Sequence, residues 1–186
     1  MTKKKYIGQL ISINFKDRPT PISGFVIDYN DDWTLLKQNP VDYIIDGYII
    51  VRHKNIQGFS RTKDELFKER ILKLKNLQPT KQNEIPLTDL NTILTYLTKK
   101  FEIFRFEQKS EKSCWLGSLV SFDKTDFIIK PLLPNGKWDK DTLFFTKDLR
   151  TIEFDSDYIN SLKLVEKDNK KLLKVKKEGD KSGVQH

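Results

Sequence analysis

The chain reads as though it were written twice. Gly24-Phe25-Val26-Ile27-Asp28-Tyr29 returns 93 residues later as Gly117-Ser118-Leu119-Val120-Ser121-Phe122. At the same offset, Leu35-Leu36-Lys37 returns as Ile128-Ile129-Lys130 and Lys54-Asn55-Ile56 as Lys147-Asp148-Leu149, and no gap is needed. Solenoid units recur at roughly 20 to 50 residues, so an offset of this size predicts a duplicated domain. Two copies fit within 186 residues, at a size where a small barrel still buries a core.

Within each copy the apolar residues recur mostly at period two, which is the signature of half-buried strands. Ile7 and then the alternation from Gln9-Leu10 to Ile13-Asn14-Phe15 read as a first strand, ended by the proline-bearing loop Arg18-Pro19-Thr20-Pro21. Gly24 to Tyr29 and Trp33 to Lys37 read as a hairpin around Asn30-Asp31-Asp32, whose short polar side chains suit a turn. A fourth strand at Tyr48 to Arg52 and a fifth near Ile56 to Phe59 flank a tight turn at His53-Lys54-Asn55. The second copy supplies Phe101 to Phe106, Ser118 to Phe122, Phe127 to Pro131, Thr142 to Phe145 and Arg150 to Phe154.

Thr62-Lys63-Asp64-Glu65 has the spacing of a capping box, and Phe67, Ile71 and Leu74 predict the apolar face of the helix it opens. A second helix is predicted after Pro86, where Leu90, Ile93, Leu94 and Leu97 share one face that must be buried. A short helix is expected from about Asp157 to Val165. The predicted organisation is a first small-barrel repeat with its trailing helix over 1–76, a linker and connecting helix over 77–98, a second repeat over 99–168, and a basic disordered tail over 169–186. The fold class is mainly β with helices (α+β): two tandem SH3-like small β-barrels joined by a helical linker.

The net charge of +8 is concentrated at the ends. Lys3, Lys4 and Lys5 contribute +3, and eight lysines against four acids in residues 163–186 contribute +4, leaving about +1 for residues 6–162. Such ends attract phosphate backbones without reading sequence. Nothing resembles a signal peptide or a run of roughly 20 apolar residues that would cross a bilayer. The single cysteine, Cys114, cannot form an internal disulfide. A cytoplasmic location without membrane attachment is the expectation.

Gly117-x-Leu119-x-x-Phe122-Asp123 followed by Phe127-Ile128-Ile129-Lys130 resembles the first signature of Sm-like proteins, above all the bacterial RNA-chaperone branch. Gly24-x-Val26-x-x-Tyr29-Asn30 with Leu35-Leu36-Lys37 is the first copy's version. Ile50-Val51-Arg52-His53-Lys54-Asn55-Ile56 is similar to the second signature, where that family places RNA-contacting basic or histidine residues. The resemblance implies a five-stranded SH3-like barrel and RNA as a partner. Two features depart from it: the family's helix precedes its barrel, and Phe145-Thr146-Lys147 lacks the histidine.

The inventory for catalysis is thin. His53 and His186 are the only histidines, no histidine or cysteine pair has metal-ligand spacing, and the eight glycines form no phosphate loop. No catalytic residue, metal or cofactor is predicted, and the chain is not expected to be an enzyme. The candidate binding residues are the cationic turn Arg52, His53 and Lys54 and the aromatic platforms Trp33 and Trp138. Trp115, in phase with Ile22, reads as core. The expected function is that of a noncatalytic binding or adaptor protein with RNA or a protein as partner. An immunity- or inhibitor-type protein that blocks a single protein partner is the alternative.

Overall fold

The computed structural model describes residues 5–79, 85–109 and 113–182. It is mainly β with three helices. In chain order the elements are β1 (Leu10–Phe15), β2 (Ile22–Tyr29), β3 (Trp33–Gln38), β4 (Tyr48–Arg52), β5 (Ile56–Ser60), α1 (Lys63–Leu74), α2 (Leu90–Phe101), β6 (Phe104–Glu107), β7 (Cys114–Phe122), β8 (Asp126–Pro131), β9 (Thr142–Phe145), β10 (Thr151–Phe154) and α3 (Asp157–Ser182). The sequence reading expects two separate barrels. Instead the strands make one ten-stranded antiparallel sheet in the order β5-β1-β2-β3-β4-β10-β6-β7-β8-β9, and it is not closed.

Local chemistry explains the turns. Asn30 bends the chain between β2 and β3 by accepting hydrogen bonds on its side-chain oxygen from the Asp32 and Trp33 amides, at 2.9 and 2.8 Å. Asn55 takes a φ of 63° between β4 and β5, a conformation asparagine tolerates better than most residues.

The two hairpins β2–β3 and β7–β8 pair in the same register. Gly24 faces Gln38 and Gly117 faces Pro131, and a bulge falls between Val26 and Asp28 in one and between Leu119 and Ser121 in the other. Each position lies 93 residues from its counterpart. A Cβ at either glycine would run into a carbonyl oxygen of the adjacent strand, that of Lys37 or Lys130. Both glycines are therefore set by close backbone approach.

The sheet is continuous from the first half (β1–β5) to the second (β6–β10) through the β4–β10 pair, where Ile50 faces Ile152 and Tyr48 faces Phe154. On one face of this junction Ile50 and Ile152 are fully buried, and the rings of Tyr48 and Phe154 stack with centroids 5.3 Å apart. On the other face β4 turns Ile49 and Val51 into a second apolar cluster, while β6, β10 and the segments beside them carry charge. Arg18 pairs with Glu107 at 2.6 Å, Arg150 with Asp17 at 2.6 Å, and Arg105 with Glu153 at 2.7 Å. Two of these pairs join the β1–β2 loop to the second half.

Helix α2 supplies the centre of the core. Leu90, Ile93, Leu94 and Leu97 are all buried, as the spacing predicts, and share one cluster with Phe104, Phe106, Phe127 and Ile152 of the second half and with Trp33, Leu35 and Ile50 of the first. The segment read as a connecting helix thus packs against both halves. Asp89 caps it by accepting the Thr92 amide at 2.9 Å.

The capping box at α1 forms as read, with Thr62 and Glu65 hydrogen-bonded reciprocally. Its buried face differs from the expectation. Phe67 and Leu74 are 56% and 75% exposed, while Leu72 and Glu69 turn inward. Leu72 packs with Leu10 and Phe25, and Glu69 accepts the Leu10 amide at 2.8 Å as well as Arg61 and Lys73. Helix α3 extends to Ser182, well past the Val165 expected from sequence and through most of the segment read as a tail. Residues 183–186 lie outside the described residues. No helix among the described residues is long and apolar enough to cross a membrane.

Candidate binding site

The strands of the first half enclose an apolar cleft of about 390 Å³. Ile11 and Ile13 come from β1, Val26 and Tyr29 from β2, and Ile56 and Phe59 from β5. Tyr6, Thr34 and His53 complete the lining. The alternation that defines the strands explains the set, because every second residue of β1 faces the same way. Ile11, Ile13 and Val26 form the floor and are 5%, 2% and 1% exposed, whereas Phe59 stands at the mouth, 49% exposed. The Tyr6 ring meets Phe59 edge-on at 4.8 Å.

The polar wall of the cleft is internally satisfied. The Nδ1 of His53 lies 2.7 Å from the Asp31 carbonyl oxygen, and its Nε2 lies 2.8 Å from the Thr34 hydroxyl. A carbonyl can only accept, so Nδ1 carries the proton, and in the neutral ring Nε2 accepts from Thr34. Both ring nitrogens are engaged, so the imidazole offers no free base to a substrate.

The rest of the cationic turn is bound into the junction. Arg52 donates from Nη1 to the Thr146 carbonyl at 2.7 Å and lays its guanidinium over the Trp33 ring at 5.5 Å. Lys54 donates from Nζ to the Lys147 carbonyl at 2.7 Å. These bonds cross from the first half to the second, so Arg52 and Lys54 act as ties between them. Trp33 is 3% exposed and belongs to the core. Trp138 is half-buried against Ile103, Leu116 and Leu162 and donates from Nε1 to Glu166 at 2.8 Å. Burial pushes the Glu166 carboxyl up, but hydrogen bonds from Lys170 and Trp138 outweigh it and hold it below the usual range. Trp115, read as core, is 36% exposed with its ring edge against Phe144.

Of the five residues read as binding candidates, only His53 lines the cleft. The other cleft residues carried no signal of their own, because Ile11, Ile13 and Val26 look in sequence like ordinary inward strand positions. Among the described residues no cluster of three or more histidine, cysteine or acidic side chains has the arrangement of a metal site. Cys114 is exposed and lies on β7, away from the cleft.

No family model, curated protein or solved structure matches this chain. The functional reading therefore rests on the site itself.

Proposed function

We propose that this chain is a noncatalytic binding protein whose partner is a protein, held by apolar side chains in the cleft of the first half. The observation that carries this reading is the contrast between the cleft and the cationic turn. The cleft sets Phe59 at its mouth above a buried apolar floor of Ile11, Ile13 and Val26, while Arg52, His53 and Lys54 each make hydrogen bonds within the chain. Recognition of phosphate needs cationic donors that are free to leave their partners. An apolar cleft with a satisfied polar wall suits apolar side chains of another protein. We further propose that the two halves are copies of one five-stranded small-barrel-like unit, a reading supported by the shared register of β2–β3 and β7–β8. On this reading only the first copy keeps its interior accessible.

The test is capture of partners from native lysate by the full chain, with and without nuclease, at low and high salt. Capture through the cleft persists after nuclease treatment and at high salt, because an apolar interface has little ionic-strength dependence, whereas phosphate contacts weaken steeply. It is lost in Val26→Glu and weakened in Phe59→Ala. Capture that disappears with nuclease, or that is indifferent to both substitutions, overturns the reading. Lys54→Ala is the control and leaves capture unchanged.

A further inference from the structure

The register shared by the two halves maps the open cleft onto a face that is covered in the second half. Ile11 and Ile13 of β1 correspond to Phe104 and Phe106 of β6, Val26 and Tyr29 of β2 to Leu119 and Phe122 of β7, and Phe59 of β5 to Ile152 of β10. Those second-half residues lie in the cluster that Leu90, Ile93, Leu94 and Leu97 of α2 complete. A hydrogen bond from the Leu119 amide to the Thr98 hydroxyl, at 3.2 Å, fixes α2 to β7. The structure thus contains its own example of what seals this kind of face. It is an amphipathic helix running into the first strand of the unit.

In the first half the cleft lining comes from strands, from the turn after β4 and from Tyr6, with no residue of a helix. The chain enters β1 through a turn at 5–8, and Tyr6 stands 93 residues before Lys99, in the last turn of α2. Among the described residues, that turn stands where the end of α2 stands in the second half. The floor is also shallower in side chain, with isoleucine at both positions where the second half has phenylalanine. More room is left for an incoming residue.

We propose that the cleft is the groove for an amphipathic helix of a partner protein, presenting large apolar residues at i, i+3, i+4 and i+7 with its C-terminal end toward Tyr6. This inference rests on the protein-binding reading above and names the element that binds. The orientation follows from α2, whose C-terminal turn leads into β6. It is also favoured by charge, since Lys5, whose Nζ lies 5.4 Å from the Tyr6 ring centroid, is placed to complement the negative end of the helix dipole. Burial of three or four apolar side chains along one helical stripe is the general means by which grooves of this kind bind helices.

The probe is a synthetic peptide copying residues 86–102, titrated into the isotope-labelled full chain and followed by NMR. Its control is the same peptide with Ile93 and Leu94 both replaced by Asp. The expected result is saturable shifts at Ile11, Ile13, Val26 and Phe59, with a gain of helical circular dichroism in the peptide and no response to the control. Phe59→Ala, a half-exposed residue on an edge strand whose change leaves the floor intact, weakens binding by about tenfold, the usual loss for an aromatic anchor. Absence of shifts at millimolar peptide, shifts confined to the second half, or an equal response to the control overturns the helix. Sedimentation of the chain alone separates the remaining occupant: a self-associated species dissolved by Phe59→Ala makes a second copy the ligand and overturns the helix. Cleft-dependent capture from lysate without peptide binding rejects the helix while the protein-binding reading stands, and nuclease-sensitive capture rejects that reading itself.

Discussion

Gly24 and Gly117 each face a strand so closely that a methyl group would collide with a backbone carbonyl. Backbone cannot step aside as a flexible side chain can, so Gly24→Ala and Gly117→Ala are each expected to destabilise the fold by about 1–3 kcal/mol. Chemical denaturation of the two variants checks this, and a neutral result at either position would mean that the local strand shifts freely. Thr62 is a second residue with a defined task, since its hydroxyl accepts the Asp64 amide while Glu65 accepts the Thr62 amide. Thr62→Ala is expected to cost about 0.5–2 kcal/mol, as loss of such a cap does elsewhere, and the loss should appear in the thermal midpoint. Sequence spacing alone placed that cap, because the motif is local and its partners are three residues apart.

Among the elements, α2 has the largest structural consequence. Ile93, Leu94 and Leu97 are completely buried, and their cluster joins residues from both halves. Leu94→Ala is expected to cost about 2–5 kcal/mol, measured as a drop in the free energy of unfolding. A change below about half a kcal/mol would make the helix peripheral. Its apolar stripe was legible because all four residues obey one helical spacing. The inward face of α1 was not. Phe67, Ile71 and Leu74 satisfy the same spacing, but the helix buries Leu72 and Glu69, since a carboxylate hydrogen-bonded to the Leu10 amide, Arg61 and Lys73 fixes its rotation. No periodicity rule anticipates that an acidic residue finds the Leu10 amide of a distant strand beside its near neighbours Arg61 and Lys73.

At the scale of the whole molecule, the two halves are held on one face by apolar packing and on the other by ion pairs, and the two responses to pH differ. A strong hydrogen bond from Arg150, with another from Asn55, lowers Asp17 to about 2. At Glu65 burial acts upward, but bonds from the Thr62 amide and hydroxyl and from Ser12 prevail and lower the group to about 2 as well. Both carboxylates thus have folded values below their ordinary 3.8 and 4.5. The stability they contribute is fully present above about pH 4.5 and is lost as pH falls toward 2. The thermal midpoint is therefore expected to be flat from pH 7 to 5 and to fall below 4. Asp17→Asn should start lower and flatten the acid limb, and an unchanged limb in that variant would remove the Arg150 pair from the account.

Local order was set by the sequence: period-two strands, the Asn30 turn, the Thr62 cap, the α2 stripe and the common offset of the glycines all follow from interactions between near neighbours. Tertiary structure decided what lies far apart along the chain. Pairing of β4 with β10 joins residues about a hundred positions apart and turns two expected barrels into one open sheet. That junction engages Arg52 and Lys54 with carbonyls of the second half and places Trp33 in the core. Two cations of the turn and a tryptophan read as a binding platform thereby became structural. The cleft arose for the same reason. An inward isoleucine reads alike whether or not a helix covers it, and only the packing of the finished molecule makes Ile11, Ile13 and Val26 the floor of a cleft lined by no helix residue while α2 closes its counterpart.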